Sequence, residues 1–161
     1  MPNKAADIIK LIAAIAISQF AGVIGSIFTM SSINTWYRSL EKPPFNPPSW
    51  VFAPVWITLY TLMGIAAWLV WRRGLANPSV KVALSLFLIQ LMLNVTWTWI
   101  FFGNQAIYYA FIEILVLWLA ILLTIIWFFK VSRLAGALLI PYIIWVSFAA
   151  VLNYSIWQLN R

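Results

Sequence analysis

Apolar residues fill five long stretches of the chain, at about 8–30, 51–71, 80–102, 106–129 and 135–158. Each matches the roughly 20 residues that a helix needs to cross a bilayer. In hydrocarbon, backbone N–H and C=O groups must be satisfied within the segment, so each stretch is expected to be helical. Polar residues punctuate the series at Arg72-Arg73-Gly74, at Asn77-Pro78 and at Lys130. The first stretch follows Lys4 and Lys10 and superficially resembles a signal peptide. It runs from Ile8 to about Met30, longer than the 7–15 residues of a signal h-region, so it is read as a retained first helix. The predicted fold class is all-α: residues 1–161 form a single domain, an integral membrane bundle of five transmembrane helices.

The longest break, 31–50, holds Trp36, Tyr37, Arg38, Glu41 and Lys42 together with Pro43, Pro44, Pro47 and Pro48. Proline removes donors and fixes φ, so this stretch is expected to be an extended, stiff loop capping the mouth of the bundle. In the first helix Ala14, Ser18, Gly22 and Ser26 recur every four residues. Small residues at that spacing let helices approach closely, either within the chain or across a homodimer seam. Pro141 falls inside the fifth stretch and is expected to bend it.

Composition sharpens this picture. The 161 residues are 65% hydrophobic and 8% charged, against about 25% charged in soluble domains. The net charge of +7 does not mark a nucleic-acid binder, because the basic residues sit at the ends of the apolar stretches, where a lipid bilayer is the partner. Lys4, Lys10, Arg72, Arg73, Lys81, Lys130 and Arg133 fall on one side; Arg38, Lys42 and Arg161 fall on the other. The positive-inside rule then places the N-terminus inside, with the 31–50 loop and the C-terminus outside. Cys and His are both absent. That removes disulfides, thiol chemistry and imidazole ligation, so no metal site, required cofactor or catalytic residue is assigned.

Polar residues within the stretches are few and fall at helical spacing. Glu113 is the one acidic residue deep in a span. Such a group is costly in lipid and is expected to face the interior, as a protonated or water-contacting carboxyl or as a hydrogen-bonded structural one. Gln90, Asn94 and Trp97 share one face of the third helix; Trp56, Tyr60 and Gly64 share one of the second; Tyr109 lies one turn before Glu113; and Tyr142, Trp145, Ala149 and Asn153 form a stripe on the fifth. Each stripe alone reads as interhelical glue. Together they suggest an interior of indoles, phenols and carboxamides suited to a flat, mostly apolar ligand. Of the 11 Trp residues, those near helix ends suit an interfacial belt, whereas Trp56, Trp118 and Trp145 lie deeper than a belt explains.

Several motifs carry a resemblance. Trp36-Tyr37, Leu40-Glu41-Lys42-Pro43-Pro44, Pro47-Pro48 and Val51-Phe52 with Pro54-Val55-Trp56 come first. Leu93-Asn94-Val95-Thr96-Trp97 with Phe101-Phe102-Gly103 follows, and then Pro141-Tyr142, Trp145, Phe148-Ala149 and Leu152-Asn153-Tyr154. In this order they resemble the translocator protein family, also called the peripheral benzodiazepine receptor or tryptophan-rich sensory protein (TspO/MBR) family. The resemblance implies a five-helix bundle whose pocket, capped by the first loop, takes porphyrins such as protoporphyrin and haem, sterols or benzodiazepine-type drugs. It implies Tyr60, Asn94, Trp97, Tyr109, Glu113, Trp145, Ala149 and Leu152 as ligand-binding residues, with Trp36 and Trp50 helping to close the pocket. It also implies dimers and light-dependent porphyrin breakdown in some members. A Glu113 that titrates as substrate moves gives a further alternative, proton-coupled transport of tetrapyrroles or sterols. Two departures stand out. Tyr109 occupies a position where several relatives carry Trp. Tyr154 and Arg161 are separated by 155–160, one residue too many for the weak sterol pattern, which favours porphyrin over cholesterol. The functional expectation is a membrane receptor or carrier for porphyrins.

Overall fold

The computed structural model describes residues 3–161. Among these, five helical segments are long and apolar enough to cross a membrane: Lys4–Ser32, Ser49–Trp71, Pro78–Gly103, Ile107–Val131 and Arg133–Leu159. The helices are α1 (Lys4–Ser32), a short α2 (Trp36–Ser39), α3 (Ser49–Trp71), α4 (Pro78–Thr98), α5 (Ile107–Val131), α6 (Arg133–Leu138) and α7 (Ile140–Leu159). At about 1.5 Å per residue these spans match a hydrocarbon core about 30 Å thick.

Local chemistry sets the boundaries. The Asn3 side chain accepts from the Ala5 N–H at 3.1 Å and starts α1. Asn77 caps α4 by accepting from the Ser79 N–H at 2.9 Å, with Pro78 at the first turn, where its missing donor costs nothing. Between 31 and 50 the prolines hold an irregular path, but Trp36–Ser39 winds one helical turn before them, because the proline constraint begins only at Pro43. The expected bend at Pro141 is a true break. Leu139 separates α6 from α7, and Pro141 sits in the first turn of α7. A proline there starts a helix rather than kinking a continuous one.

The spans form a ring in the order α1, α3, α6/α7, α5 and α4, closing back on α1. Adjacent small residues let α1 and α3 touch backbone to backbone: a Cβ on Gly64 would lie 2.5 Å from the Ile15 Cα. Of the four-residue stripe on α1, Ala14 and Ser18 are buried within the chain, Gly22 is half-buried and Ser26 is exposed, while the flanking Ala21 and Gly25 are buried. At the end holding the chain start, Arg72 pairs with Asp7 at 3.1 Å. The Trp68 indole N–H donates to the Asp7 carbonyl and carboxylate, each at 3.1 Å. Toward the other end, α3 meets α7 through side chains, with Phe52 edge-on to Trp145 at 6.0 Å and Trp56 edge-on to Tyr142 at 6.4 Å. A space opens between α1, α3, α4 and α7 there.

Candidate functional site

That space is a cavity of about 520 Å³, within the roughly 300–1,000 Å³ typical of small-molecule sites. The rings of Trp56, Tyr60, Trp97, Phe101 and Trp145 contribute to its wall, together with the smaller Ala149 and Leu152. Trp56 stacks on Tyr60 at 5.5 Å, and Trp97 stacks on Phe101 at 5.1 Å. Polar partners fix the rings. The Trp97 indole N–H donates to Asn153 Oδ1 at 3.0 Å, and Asn153 Nδ2 donates to the Ile107 carbonyl at 3.0 Å. Thus α7 and the start of α5 together orient an α4 ring.

The helix α4 ends in a π-helical turn, Trp99–Gly103. Its wider winding is closed by the Asn104 N–H donating to the Trp99 carbonyl at 2.9 Å. This turn carries Phe101 inward, beneath the loop. The loop seals that end with aromatic contacts: Trp36 on Phe101 at 5.7 Å, Tyr37 on Phe102 at 5.5 Å and Phe45 on Phe148 at 6.2 Å. A strap reinforces the seal. The Glu41 N–H donates to Asn160 Oδ1 at 3.0 Å, and Asn160 Nδ2 donates back to the Glu41 carbonyl at 2.8 Å.

Behind Tyr60 runs a buried polar chain. The Tyr60 hydroxyl donates to Asn94 Oδ1 at 2.6 Å. Asn94 Nδ2 donates to the Tyr142 hydroxyl at 2.9 Å, which in turn donates to Gln90 Oε1 at 2.7 Å. Three helices are tied together at membrane depth by these bonds, where an unpaired group is costly.

Above the cavity lies a polar recess of about 500 Å³ bordered by Arg38, Lys42 and Asn46, with Ile33, Tyr37 and Ser49 as a wall shared with the cavity. Lys42 Nζ lies 4.8 Å from the Tyr37 ring centroid and donates to the Leu40 carbonyl at 2.9 Å. Burial lowers the Lys42 pKa from the ordinary lysine value. Burial raises that of Tyr37, opposed by its hydrogen bond to Asn46. Among the described residues neither Arg38 nor Lys42 has a carboxylate partner.

The sequence-derived residues therefore separate into groups. Tyr60, Trp97, Trp145, Ala149 and Leu152 share the cavity wall. Asn94 sits one layer behind, holding Tyr60. Trp36 packs in the seal rather than the wall. Trp50, in the first turn of α3, is 74% exposed, and Tyr109 is 68% exposed. The inward face of α5 is Ala110, Ile114, Leu117 and Ile121. Tyr109, about 100° around the helix from Ala110, points away. Glu113 is half-buried outside the wall, and both its carboxylate oxygens are sheltered without a hydrogen-bond partner among the described residues. Trp118, the deep indole that no belt explains, donates to Ser147 Oγ at 2.8 Å and acts as glue between α5 and α7.

α1 forms a further wall, one that the polar and aromatic stripes of the other spans do not predict. Gln19, Gly22, Gly25 and Ser26 all border the cavity. A Cβ on Gly22 would lie 2.6 Å from the Tyr60 ring, so the small-residue stripe makes space for that ring. The stripe itself was the available signal.

The TspO/MBR family model matches residues 14–158. The chain belongs to the TspO/MBR family. It is 43% identical to the tryptophan-rich protein TspO of Chlorobaculum tepidum, covering 96% of this chain and 98% of that protein. It is 42% identical to the protein of the same name from Archaeoglobus fulgidus, covering 96% and 99%. With the human translocator protein it shares 40% identity over 86% of this chain and 82% of that one. Family membership and five apolar spans make it a multi-pass integral membrane protein.

Proposed function

We propose that this TspO/MBR protein is a membrane receptor or carrier for porphyrins and similar flat, apolar molecules, held in the cavity between α1, α3, α4 and α7. The observation that carries this reading is the wall itself. Indole, phenol and phenyl rings from α3, the α4 span and α7 line one space, sealed at one end by an aromatic loop. Stacking on such faces is worth about 0.5–1.5 kcal/mol per ring pair beyond area burial. The basic recess beside the cavity suits an acidic edge. Arg38 and Lys42 supply donors for carboxylates such as porphyrin propionates, a charge-assisted contact. The chain has no His and no Cys, so binding proceeds through ring faces and propionates rather than through imidazole or thiolate bonds to a central metal.

Titration of the protein in nanodiscs with protoporphyrin, followed by tryptophan quenching and by porphyrin absorbance, tests this. Saturable one-site binding is expected, with metal-free porphyrin binding about as well as haem. Trp145→Leu, which removes the ring, is expected to weaken it by about two- to twelvefold, the equivalent of one ring contact at roughly 0.5–1.5 kcal/mol. Non-saturable quenching, with Trp145→Leu behaving as the unchanged protein, would defeat the proposal.

A further inference from the structure

We infer that the cavity is loaded sideways from the bilayer, through a slit between α1 and α3, by an apolar molecule dissolved among the lipid tails. This rests on the reading of the cavity as a ligand site and names the phase that the ligand comes from.

The slit is defined by residues that both line the cavity and face outward. Val23 and Met30 of α1 are 56% and 74% exposed, and Ile57 of α3 is 59% exposed, yet all three border the cavity. Deeper in the cavity, Tyr60 of α3 and, on the far wall, Leu152 of α7 are each only 6% exposed. Side chains in a closed wall have one face to the space and one to packed protein. A side chain exposed on its outer face while bordering the inside marks an edge. Ser26 and Ala53, also exposed and also bordering the cavity, place only small side chains along those edges.

The slit has a floor and no hydrogen-bonded closure above it. Below, α1 and α3 touch at Ile15 and Gly64. At the floor, Gln19 Nε2 donates to the Ile57 carbonyl at 3.0 Å and to Thr61 Oγ1 at 2.9 Å. From Gln19 toward the loop, no hydrogen bond joins α1 to α3 among the described residues. The water-facing end differs. Tyr37 is buried against Phe101 and Phe102, and Asn160 straps Glu41 to the end of α7. Entry from water requires lifting this packed loop, whereas entry from lipid requires only side-chain movement at Val23, Met30 and Ile57. An apolar molecule also partitions into the lipid before it meets the protein.

The absence of cysteine permits a test that needs no porphyrin. Ala149→Cys places a single thiol on the far wall of the cavity. In liposomes it is treated either with a bilayer-dissolved pyrene maleimide or with a permanently charged, water-borne methanethiosulfonate. Each rate is normalised to that reagent's rate with a free thiol, and both reagents require the thiolate. The apolar reagent is expected to react at least tenfold faster. Adding Ala53→Trp or, as a second variant, Ser26→Phe is expected to slow it at least tenfold, whereas adding Asn160→Ala, which frees the loop, is expected to leave it unchanged. The inference is overturned by an unreactive thiol in the folded protein, by equal normalised rates, or by slit variants without effect when loop release accelerates labelling. Porphyrin titration of the same samples reports separately on the ligand reading.

Discussion

Replacing Asn94 by Leu tests whether the buried polar chain holds three helices together. Asn94 joins Tyr60 and Tyr142 through bonds of 2.6 and 2.9 Å. Leu keeps the approximate volume and removes both bonds. A hydrogen bond between membrane helices averages about 0.6 kcal/mol and reaches about 1.7, because the unfolded chain in a membrane also finds partners. Asn94→Leu is therefore expected to cost roughly 1.2–3.4 kcal/mol for its two bonds. Tyr142→Phe also removes two, those to Asn94 and Gln90, and is expected to fall in the same range. Tyr60→Phe removes one and is expected to cost about half as much. It keeps the ring in the cavity wall, so ligand affinity should hold while stability falls. The Asn94→Leu and Tyr142→Phe pair share one bond. Their combined loss should fall short of the sum by one bond, about 0.6–1.7 kcal/mol. Reversible unfolding in mixed micelles, followed by helical circular dichroism, measures the four variants against the parent. Additivity within about 0.3 kcal/mol, or a larger loss for Tyr60→Phe than for Tyr142→Phe, would refute the reasoning.

Gly64→Ala drives a Cβ against the Ile15 backbone, which cannot rotate away, and is expected to destabilise the α1–α3 pair by about 1–3 kcal/mol; an unfolding midpoint equal to that of the parent would contradict it. Asn160→Ala removes both strap bonds to Glu41, and amide exchange at Leu40, Glu41, Lys42, Phe45 and Asn46 should accelerate while α5 exchange does not change; unchanged exchange at these loop amides would show that the strap is idle. Burial lowers Lys42 below the ordinary lysine value, so its charge is lost at a lower pH than that of an exposed lysine. Affinity for a ligand bearing carboxylates should therefore decline toward alkaline pH, and more steeply than in Lys42→Arg, which stays charged; identical pH profiles would remove Lys42 from the anion contact.

The one-dimensional pattern already contained the five spans, because hydropathy and the need to satisfy backbone groups in lipid act locally along each segment. It also contained the proline-rich cap, the close packing of the first helix and, through motif order, the family. The azimuth of each helix was beyond it. One residue turns a helix by about 100°, so placing Tyr109 and Glu113 on the same helix as Ala110 does not place them on the same side. Only the packing of α5 against α4 and α7 turned Ala110 inward and Tyr109 out. Likewise, Asn94 and Trp97 share a helical face, yet Asn94 became a strut behind Tyr60 and Trp97 a wall. The break at Leu139, the π-helical turn at Trp99–Gly103 and the use of α1 as a thin, gapped wall also depend on neighbours distant in sequence. Membrane solvation is a property of each segment alone, whereas a cavity is a property of where several segments fail to meet.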